Sequence, residues 1–274
     1  MEEFIQLKGK DVGPTSVVLA GVHGDERAGI EAFKKILPTL QIEKGQVFFG
    51  YGNPRAIASN ARFVETNLNR MFKPDFMLSE EEKTSYEYAR AQLIKKYLDQ
   101  SDALLDIHAS RTPNSTPFVI CESNAKGIVE YLPISLVVSG FDTVEPGGTD
   151  YYMNSLGKIG VCVECGYFGD PESSRVAEKS IFAFLKSRGH IANDTTPQRQ
   201  SYLRMYEIYI TKTSSFTLAK SFNDFEEVLA GQIIGIDGKK EIYTEKDGVI
   251  LFARNRKEIA CEAFLLGEKK NSLA

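Results

Sequence analysis

Short apolar segments that alternate with longer amphipathic ones over the first two thirds of the sequence constrain its fold more than any other feature. Ser16–Ala20 (SVVLA) is such a segment, and an amphipathic stretch near Glu26–Leu37 follows it. Segments that are apolar throughout are typical of strands covered on both faces of a sheet, and the helices between them provide the cover. The sequence therefore predicts an α/β fold. Further strands are predicted at Val47–Tyr51, Ala103–Ile107, Phe118–Cys121, Leu136–Val138 and Ile159–Cys165.

Two helices are indicated by the residues at their ends. The segment from Ser79 to Gln100 is predicted as one helix, because Ser79 can cap it and Glu82, three residues on, completes a capping box. Pro171 is expected at the first position of a last helix that runs to about Arg188. Proline is tolerated at that position because a backbone N–H there would have no helical partner.

The pattern changes after the polar segment Asn193–Gln198 (NDTTPQ), which is typical of a linker. Beyond it, apolar and polar residues alternate between glycine-rich turns, as they do in strands with one exposed face. We therefore predict a larger domain over residues 1–194 and a small β-rich C-terminal domain over residues 195–274. The strands of the smaller domain are predicted at Tyr202–Thr211, Gln232–Ile236, Glu241–Thr244 and Gly248–Phe252.

Composition and charge argue against several classes of function. With 42% hydrophobic residues in a chain of 274, a core can form, and the net charge of −4 argues against nucleic acid or an anionic membrane as the main partner. No apolar run approaches the roughly 18 residues that span a bilayer, and the N-terminus lacks the features of a secretory signal. Four cysteines do not indicate a disulfide scaffold in a chain of this size. We expect a cytoplasmic protein with reduced thiols, and homo-oligomer formation stays open.

Two of the three histidines stand where strands are predicted to end. His23 and Glu26 lie in the segment GVHGDE, and a spacing of three residues puts two side chains on the same side where a helix begins. His108 ends a later strand in the segment DIHAS, where Asp106 or a backbone carbonyl can orient it. Two histidines and a glutamate match the ligand set of a catalytic zinc ion, which keeps a fourth position for water. The third histidine, His190, is expected to be a cation at the end of the last helix.

The same residues also have an ordinary structural interpretation. Surface helices often contain an H-x-x-E pair, and a histidine at a strand end is commonly a hydrogen-bonded structural residue. Spacing alone therefore leaves the two interpretations open. Cys162 and Cys165 are spaced as C-x-x-C, but residues three apart in a strand face opposite sides, so we expect both to pack in the core.

Further motifs in a fixed order bear on this choice. They are G-x-H-G-x-E at 21–26, N-P-R-A at 53–56, N-x-N-R at 67–70, D-x-H at 106–108 and V-E-x-G at 163–166. Together they resemble the aspartoacylase and succinylglutamate desuccinylase family, which is related to zinc carboxypeptidases. The resemblance implies a mixed, mostly parallel sheet covered by helices on both faces, with a small β-rich C-terminal domain. It also implies one Zn²⁺ per chain, bound by His23, Glu26 and His108.

The resemblance assigns roles to four further residues. Glu164 corresponds to the general base: zinc polarises the amide carbonyl and acidifies a water molecule, whose proton a nearby carboxylate can accept and pass to the departing amine. Arg62 resembles the arginine that stabilises the oxyanion. Asn69 and Arg70 resemble the pair that recognises a substrate carboxylate, because a guanidinium fork can hold both oxygens. Without the resemblance, a structural ion pair explains Glu164 better, and the arginines fit a solvated loop.

The predicted function is a zinc-dependent amidohydrolase that deacylates a small anionic N-acylated amino acid, such as an N-acyl-aspartate or N-succinylglutamate. One alternative is a zinc carboxypeptidase that acts on a peptide or cell-wall fragment, which needs an open groove rather than a closed pocket. Another is a zinc-binding protein without turnover, against which the presence of both Glu164 and Arg62 argues. Arg111, after His108, is expected either to add a second carboxylate contact or to form a surface ion pair.

Overall fold

Fourteen strands and eight α-helices are present in residues 4–273, the part of the chain that this computed structural model describes. The strands are β1 (Phe4–Lys8), β2 (Asp11–Ala20), β3 (Lys44–Tyr51), β4 (Ala103–Ser110), β5 (Phe118–Cys121), β6 (Leu136–Ser139), β7 (Ile159–Tyr167), β8 (Ser201–Ile210), β9 (Phe216–Leu218), β10 (Glu226–Val228), β11 (Ile233–Asp237), β12 (Lys240–Tyr243), β13 (Gly248–Leu251) and β14 (Glu262–Lys270). The α-helices are α1 (Ala28–Ile36), α2 (Pro54–Ser59), α3 (Glu80–Thr84), α4 (Tyr86–Asp99), α5 (Lys126–Val129), α6 (Phe141–Val144), α7 (Thr149–Ser155) and α8 (Glu172–Ser187). Short 3₁₀ helices lie at Leu68–Arg70, Asp75–Met77 and Ser123–Ala125. Within residues 4–273, no helix is both long enough and apolar enough to cross a membrane.

Eleven of the strands form one sheet in the order β1-β3-β2-β4-β7-β5-β6-β8-β14-β13-β10. The neighbours β3, β2, β4 and β7 are parallel, and so are β5, β6 and β8. An antiparallel pairing between β7 and β5 joins the two parallel groups. From β3 to β8 the central sheet is therefore mixed and mostly parallel, which confirms the predicted fold class.

Helices cover both faces of the sheet, because strand β2 directs its side chains alternately into two cores. Val18 and Ala20 contribute to the core that also contains the buried residues of α1 and α8. Val17 and Leu19 contribute to the core on the other face, against α4. With both faces covered, neither set of alternating residues meets water, and the strand is apolar from Val17 to Ala20.

The C-terminal strands extend the main sheet and also form a second one. β8 pairs with β6, and β14, β13 and β10 continue the sheet with antiparallel pairings. β9, β11 and β12 form a separate antiparallel sheet of three strands, which confirms the expected small β-rich part. The domain boundary at residue 194 stays a prediction, and the hydrogen bonds between β6 and β8 cross it. Four strands, β1, β9, β10 and β14, are absent from the predicted set.

The segment predicted as one helix from Ser79 to Gln100 contains two helices, α3 and α4, so that prediction is wrong. Ser85 interrupts it with an extended backbone (φ −72°, ψ 154°), and its hydroxyl accepts a hydrogen bond from the N–H of Tyr88. The segment therefore holds a second N-cap that starts a new helix. The capping box between Ser79 and Glu82 is confirmed in both directions.

The expected cationic role of His190 is wrong. Its ring is fully buried, with Nδ1 3.0 Å from the carbonyl oxygen of Lys44 and Nε2 2.8 Å from the hydroxyl of Ser16. These partners suit the neutral imidazole that donates from Nδ1 and accepts at Nε2. Burial lowers the pKa of His190, which favours the same neutral form. Pro171, expected at the first position of α8, is its N-cap instead.

Candidate active site

The residues predicted to bind a metal lie at the carboxyl ends of neighbouring parallel strands. His23 and Glu26 lie in the turn between β2 and α1. His108 lies in β4, the strand next to β2, and Glu164 lies beside it in β7 at the paired position. Loops and side chains at the carboxyl edge of a parallel sheet converge on one crevice, where ligands bind in folds of this kind.

Two glycines allow the turn that carries the first ligands. Gly21 has a φ of +68°, which side chains rarely adopt. A Cβ at Gly24 would lie 2.1 Å from the carbonyl carbon of Ala56, so only glycine lets the two segments approach this closely. The N–H of Gly24 donates to the carbonyl oxygen of Arg62 at 3.2 Å. The two glycines of G-x-H-G-x-E thus place the ligand turn directly against the segment that contains Arg62.

The three predicted ligands form one buried cluster. Nδ1 of His23 is 2.7 Å from Oε1 of Glu26, and Nδ1 of His108 is 3.0 Å from Oε2 of the same carboxylate. One ligand atom from each of the three side chains can be chosen so that all lie within 4.8 Å of one another. This spacing lets a single ion contact all three side chains.

Asn67 orients the first histidine. Its Oδ1 is 3.0 Å from Nε2 of His23, and this contact leaves Nδ1 directed at Glu26. Oδ1 of Asn67 also accepts the backbone N–H of Asn69 at 3.0 Å, which fixes the amide in place. Asn67 lies in the N-x-N-R motif, but no role is predicted for it from the sequence.

Asp106 and Thr149 hold the second histidine. Oδ2 of Asp106 is 3.0 Å from Nε2 of His108, within ion-pair distance but outside hydrogen-bond geometry. The same oxygen accepts a hydrogen bond from the hydroxyl of Thr149 at 2.6 Å. A carboxylate behind a ligating histidine fixes the ring and makes its free nitrogen a better donor to metals. The expected role of Asp106 agrees with this contact, whereas Thr149 is absent from the predicted site.

The charges in the cluster suit a bound cation. Burial lowers the pKa of His23 to about 4, so its imidazole is neutral at neutral pH. Burial opposes ionisation of Glu26, but the two histidines outweigh it and lower the pKa of Glu26 well below its usual value. Burial likewise opposes protonation of His108, but the carboxylates of Asp106 and Glu26 outweigh it and raise the pKa of His108. The same two carboxylates favour a metal cation, which takes the place of that proton when the imidazole becomes a ligand. Two imidazoles and one ionised carboxylate are a donor set that fits zinc.

Glu164 has a free oxygen in the same buried region. Its Oε2 is buried and has no hydrogen-bond partner among the residues 4–273. Burial, together with the charge of Glu26, raises the pKa of Glu164 to about 8. A buried carboxylate oxygen without a partner is costly, and the Glu164 side chain lines the cavity, so the carboxylate is stabilised by a polar group that approaches it from there.

The three remaining predicted site residues line the same cavity but differ in their partners. Arg62 donates from Nη1 to Oε1 of Glu26 at 2.9 Å. Oδ1 of Asn69 accepts the backbone N–H of Thr149 at 3.3 Å. The guanidinium of Arg70 is held by Glu262, with Nε–Oε1 and Nη2–Oε2 distances of 2.8 and 2.9 Å, and it also contacts Glu145 and the carbonyl of Asn69. Arg70 therefore already has two carboxylate partners from the chain itself.

A buried carboxylate on α4 supports the loop between Arg62 and Asn67. Oε1 of Glu87 accepts hydrogen bonds from Nδ2 of Asn53 at 3.0 Å and from the N–H of Val64 at 2.7 Å. Its Oε2 accepts the N–H groups of residues 65 and 66, both at 3.2 Å. Glu87 is fully buried, so these bonds provide the solvation that its charge lacks.

The site opens into a cavity of about 100 Å³ that the C-terminal strands help to close. Charged and polar side chains make up much of its lining, so it suits a small polar ligand. Oγ of Ser110 donates to Oδ2 of Asp224 at 2.9 Å, and Oδ1 of Asp224 accepts the N–H of Phe252 at 3.1 Å. These bonds hold the C-terminal segment against the end of β4. The C-terminal residues that line the cavity are Phe252, Arg254, Arg256, Glu262, Phe264 and Leu265.

Arg111 and the two cysteines of β7 also lie at or near the cavity wall or the cores beside it. Arg111 forms an ion pair with Asp25, whose side chain is 8% exposed, so the pair is formed at the cavity rather than on the open surface. Cys162 and Cys165 are buried in two different hydrophobic cores. Their expected packing role, on opposite faces of β7, is confirmed.

The chain resembles known proteins in both sequence and structure. Residues 12–188 match the family described as the succinylglutamate desuccinylase/aspartoacylase catalytic domain. The chain is 28% identical over 273 residues to a succinylglutamate desuccinylase of a Shewanella species, covering 89% of this chain and 78% of that protein. It is 25% identical over 206 residues to a probable aspartoacylase of a Nostoc species, covering 69% of each. The solved structure of succinylglutamate desuccinylase from Vibrio cholerae superimposes with a TM-score of 0.82 at 20% identity, covering 98% of this chain and 86% of that one.

Proposed function

The chain belongs to the succinylglutamate desuccinylase/aspartoacylase family, and on that premise we propose that it is a zinc-dependent hydrolase of a small N-acylated amino acid. The observation that carries the proposal is the buried cluster of His23, Glu26 and His108, with Glu164 beside it. The names of the similar proteins suggest N-succinylglutamate or an N-acyl-aspartate as the substrate. The bond to be cleaved is the amide between the acyl group and the amino acid.

Residues His23, Glu26 and His108 would hold the zinc ion. Their three ligand atoms lie close enough for one ion, and Nε2 of each histidine lies 3.0 Å from a separate side-chain oxygen, of Asn67 or Asp106. When bound, zinc polarises the amide carbonyl and makes a water molecule more acidic.

Glu164 would move the proton. Its side chain lines the cavity and its Oε2 has no partner among the described residues, so the carboxylate can accept a proton from the attacking water and return it to the leaving nitrogen. The burial that raises the pKa of Glu164 to about 8 keeps this group close to the pH at which both transfers are easy. A cation at the three ligands offsets part of this effect and favours the ionised form.

Arg62, Asn69 and Arg70 would contact the substrate. Arg62 lies against Glu26, so its guanidinium is near the place where negative charge develops on the carbonyl oxygen. Asn69 and Arg70 line the cavity and are proposed as substrate contacts. Because Glu145 and Glu262 already hold Arg70, a substrate carboxylate at this position has to share that guanidinium or displace one of them.

The shape of the cavity favours a small substrate over the alternative of a peptide or cell-wall fragment. C-terminal residues from Phe252 to Leu265 form part of its wall, and Asp224 attaches this wall to β4 through Ser110. A carboxypeptidase acting on a longer chain needs a groove that continues beyond the site. The alternative of a zinc-binding protein without turnover leaves the free carboxylate oxygen of Glu164 without a purpose.

The experiment that tests the proposal compares zinc-loaded wild type with Glu164→Gln. The variant keeps the three ligands, so it should bind zinc as wild type does and lose about 10²–10⁴-fold in turnover of N-succinylglutamate or N-acetylaspartate. Glu81→Gln, which changes an exposed glutamate of α3, is the matched control. Turnover by Glu164→Gln at the wild-type rate would refute the base assignment, and loss of zinc from it would show that Glu164 is a ligand.

A further inference from the structure

The arginines that line the cavity differ in whether other residues of the chain form hydrogen bonds or ion pairs with their guanidinium groups. Arg62 pairs with Glu26, Arg70 with two glutamates, and Arg111 with Asp25. Arg256 donates from Nε to the carbonyl oxygen of Glu262 at 2.6 Å. The fifth, Arg254, forms no side-chain hydrogen bond and no ion pair with any residue that the structure describes.

The backbone around Arg254 is held in place although its side chain has no partner. The N–H of Arg254 donates to the carbonyl of Ala263 in β14 at 2.9 Å. Two residues earlier, Phe252 is fixed by Asp224 and packs near Phe118, with ring centroids 6.0 Å apart. Alternate residues 252, 254 and 256 all line the cavity, as expected for a segment that presents one face to it.

The charge of Arg254 is not compensated where it lies. Burial, together with the positive charges of Arg62, Arg256 and Arg111, lowers the pKa of Arg254 to about 10, and the charge of Asp224 opposes this only in part. A half-buried guanidinium among other guanidinium groups is stabilised by any anion that reaches it. Since the cavity is the open space beside it, that anion comes with the ligand.

Resting on the proposed function, we infer that Arg254 of the C-terminal segment binds a carboxylate of the substrate and thereby determines its specificity. Its planar fork can meet both carboxylate oxygens without competition from a residue of the chain, whereas Glu145 and Glu262 already hold the guanidinium of Arg70. The preferred substrate therefore carries a carboxylate a short distance from the amide to be cleaved. This carboxylate belongs to the acyl group, to the amino-acid side chain or to the α-position, and all three sources present the same chemistry.

Equilibrium binding tests this inference without turnover. Succinate and L-aspartate are titrated calorimetrically into zinc-loaded wild type, Arg254→Gln, Arg254→Lys and Arg199→Gln, the last replacing an exposed arginine. Arg254→Gln should weaken binding of at least one of the two by about 10- to 100-fold, as loss of a charged hydrogen-bonding pair does. Arg254→Lys should lose less affinity than Arg254→Gln, and Arg199→Gln should bind both compounds as wild type does. Zinc content and the thermal unfolding midpoint, measured on every variant, show whether the variants fold as wild type does.

Kinetics then identify which carboxylate is bound. Each substrate is compared with a partner in which one carboxylate is an amide: N-acetylaspartate with N-acetylasparagine, N-acetylaspartate with its α-amide, and N-succinylglutamate with the acyl-chain amide. Arg254→Gln should lower kcat/KM for the carboxylate of one pair and leave its amide partner almost unchanged, mainly through KM.

The outcomes separate this inference from the proposed function. Unchanged binding of both dicarboxylates by a folded Arg254→Gln variant overturns the inference, and so does wild-type protein that binds neither at millimolar concentration. Equal losses for both members of every pair overturn it as well, because they indicate a structural role. Wild type that binds through Arg254 but hydrolyses none of the substrates supports the inference and refutes the proposed function.

Discussion

Replacing Glu87 by alanine should destabilise the protein and loosen the candidate site, although Glu87 does not touch the cavity. The carboxylate accepts four hydrogen bonds, and each bond to a charged acceptor contributes about 1.5–3 kcal/mol. The plain sum, about 6–12 kcal/mol, is too large, because residues 64 and 65 are exposed and their N–H groups can return to water. Nδ2 of Asn53 is fully buried and cannot form a hydrogen bond with water in the variant. We therefore expect Glu87→Ala to lower the free energy of unfolding by about 3 kcal/mol.

The assay is urea unfolding of wild type, Glu87→Ala, Glu87→Gln and Glu81→Ala at neutral pH. The free energy of unfolding of Glu87→Gln should lie between those of wild type and Glu87→Ala. One side-chain oxygen of the glutamine still accepts hydrogen bonds, whereas its amide nitrogen faces N–H donors. Because the loop from 64 to 66 connects Arg62 to Asn67, zinc affinity measured by chelator competition should also fall, by roughly tenfold. A loss of less than about 1 kcal/mol in Glu87→Ala, no more than in the exposed control Glu81→Ala, would refute the reasoning.

Three further predictions follow from the site and the fold. Arg62→Gln should lower kcat about 10²–10³-fold with little change in zinc content, measured by steady-state kinetics; an unchanged kcat contradicts its role at the developing oxyanion. His23→Ala should lose its zinc on dialysis, measured by metal analysis, and full retention of zinc contradicts its role as a ligand. Because burial lowers the pKa of His190 in the fold, the unfolded chain takes up that proton first as pH falls through about 6.5, and stability drops. Urea unfolding between pH 7 and 5 should show a smaller drop in the free energy of unfolding for His190→Gln than for wild type. Equal drops in the two proteins would contradict the assignment of His190 as a buried neutral imidazole.

Much of the fold follows from local sequence pattern. The apolar runs in β2 to β7 are visible because strands covered on both faces are mostly apolar, and the buried polar residues among them, such as Asp106, His108 and Glu164, belong to the site. Strands β9 and β10 have three residues each, too few for a pattern to stand out. The break at Ser85 was hidden for another reason, since serine is tolerated within helices and becomes a cap only when its backbone is extended.

The candidate site was predictable where its residues lie in motifs and not where distant segments meet. His23 and Glu26 are three residues apart and share a turn. The two carboxylates that hold Arg70, by contrast, are Glu145 and Glu262, which lie 75 and 192 positions away in the sequence. No local pattern contains such contacts, so Arg70 looked free to bind substrate. Glu87 was equally hidden, because a glutamate in a helix normally faces water.

The central claim is tested most directly by measuring zinc content and hydrolysis in the same preparation. Purified protein is offered zinc, dialysed and analysed for metal, and release of free amino acid is followed with N-acetyl, N-formyl and N-succinyl forms of aspartate and glutamate. We expect about one zinc per chain, because one cluster of three ligands is present among residues 4–273, and hydrolysis that stops with a chelator and returns with zinc. Protein that binds no zinc, or hydrolysis that a chelator leaves unchanged, would contradict the account.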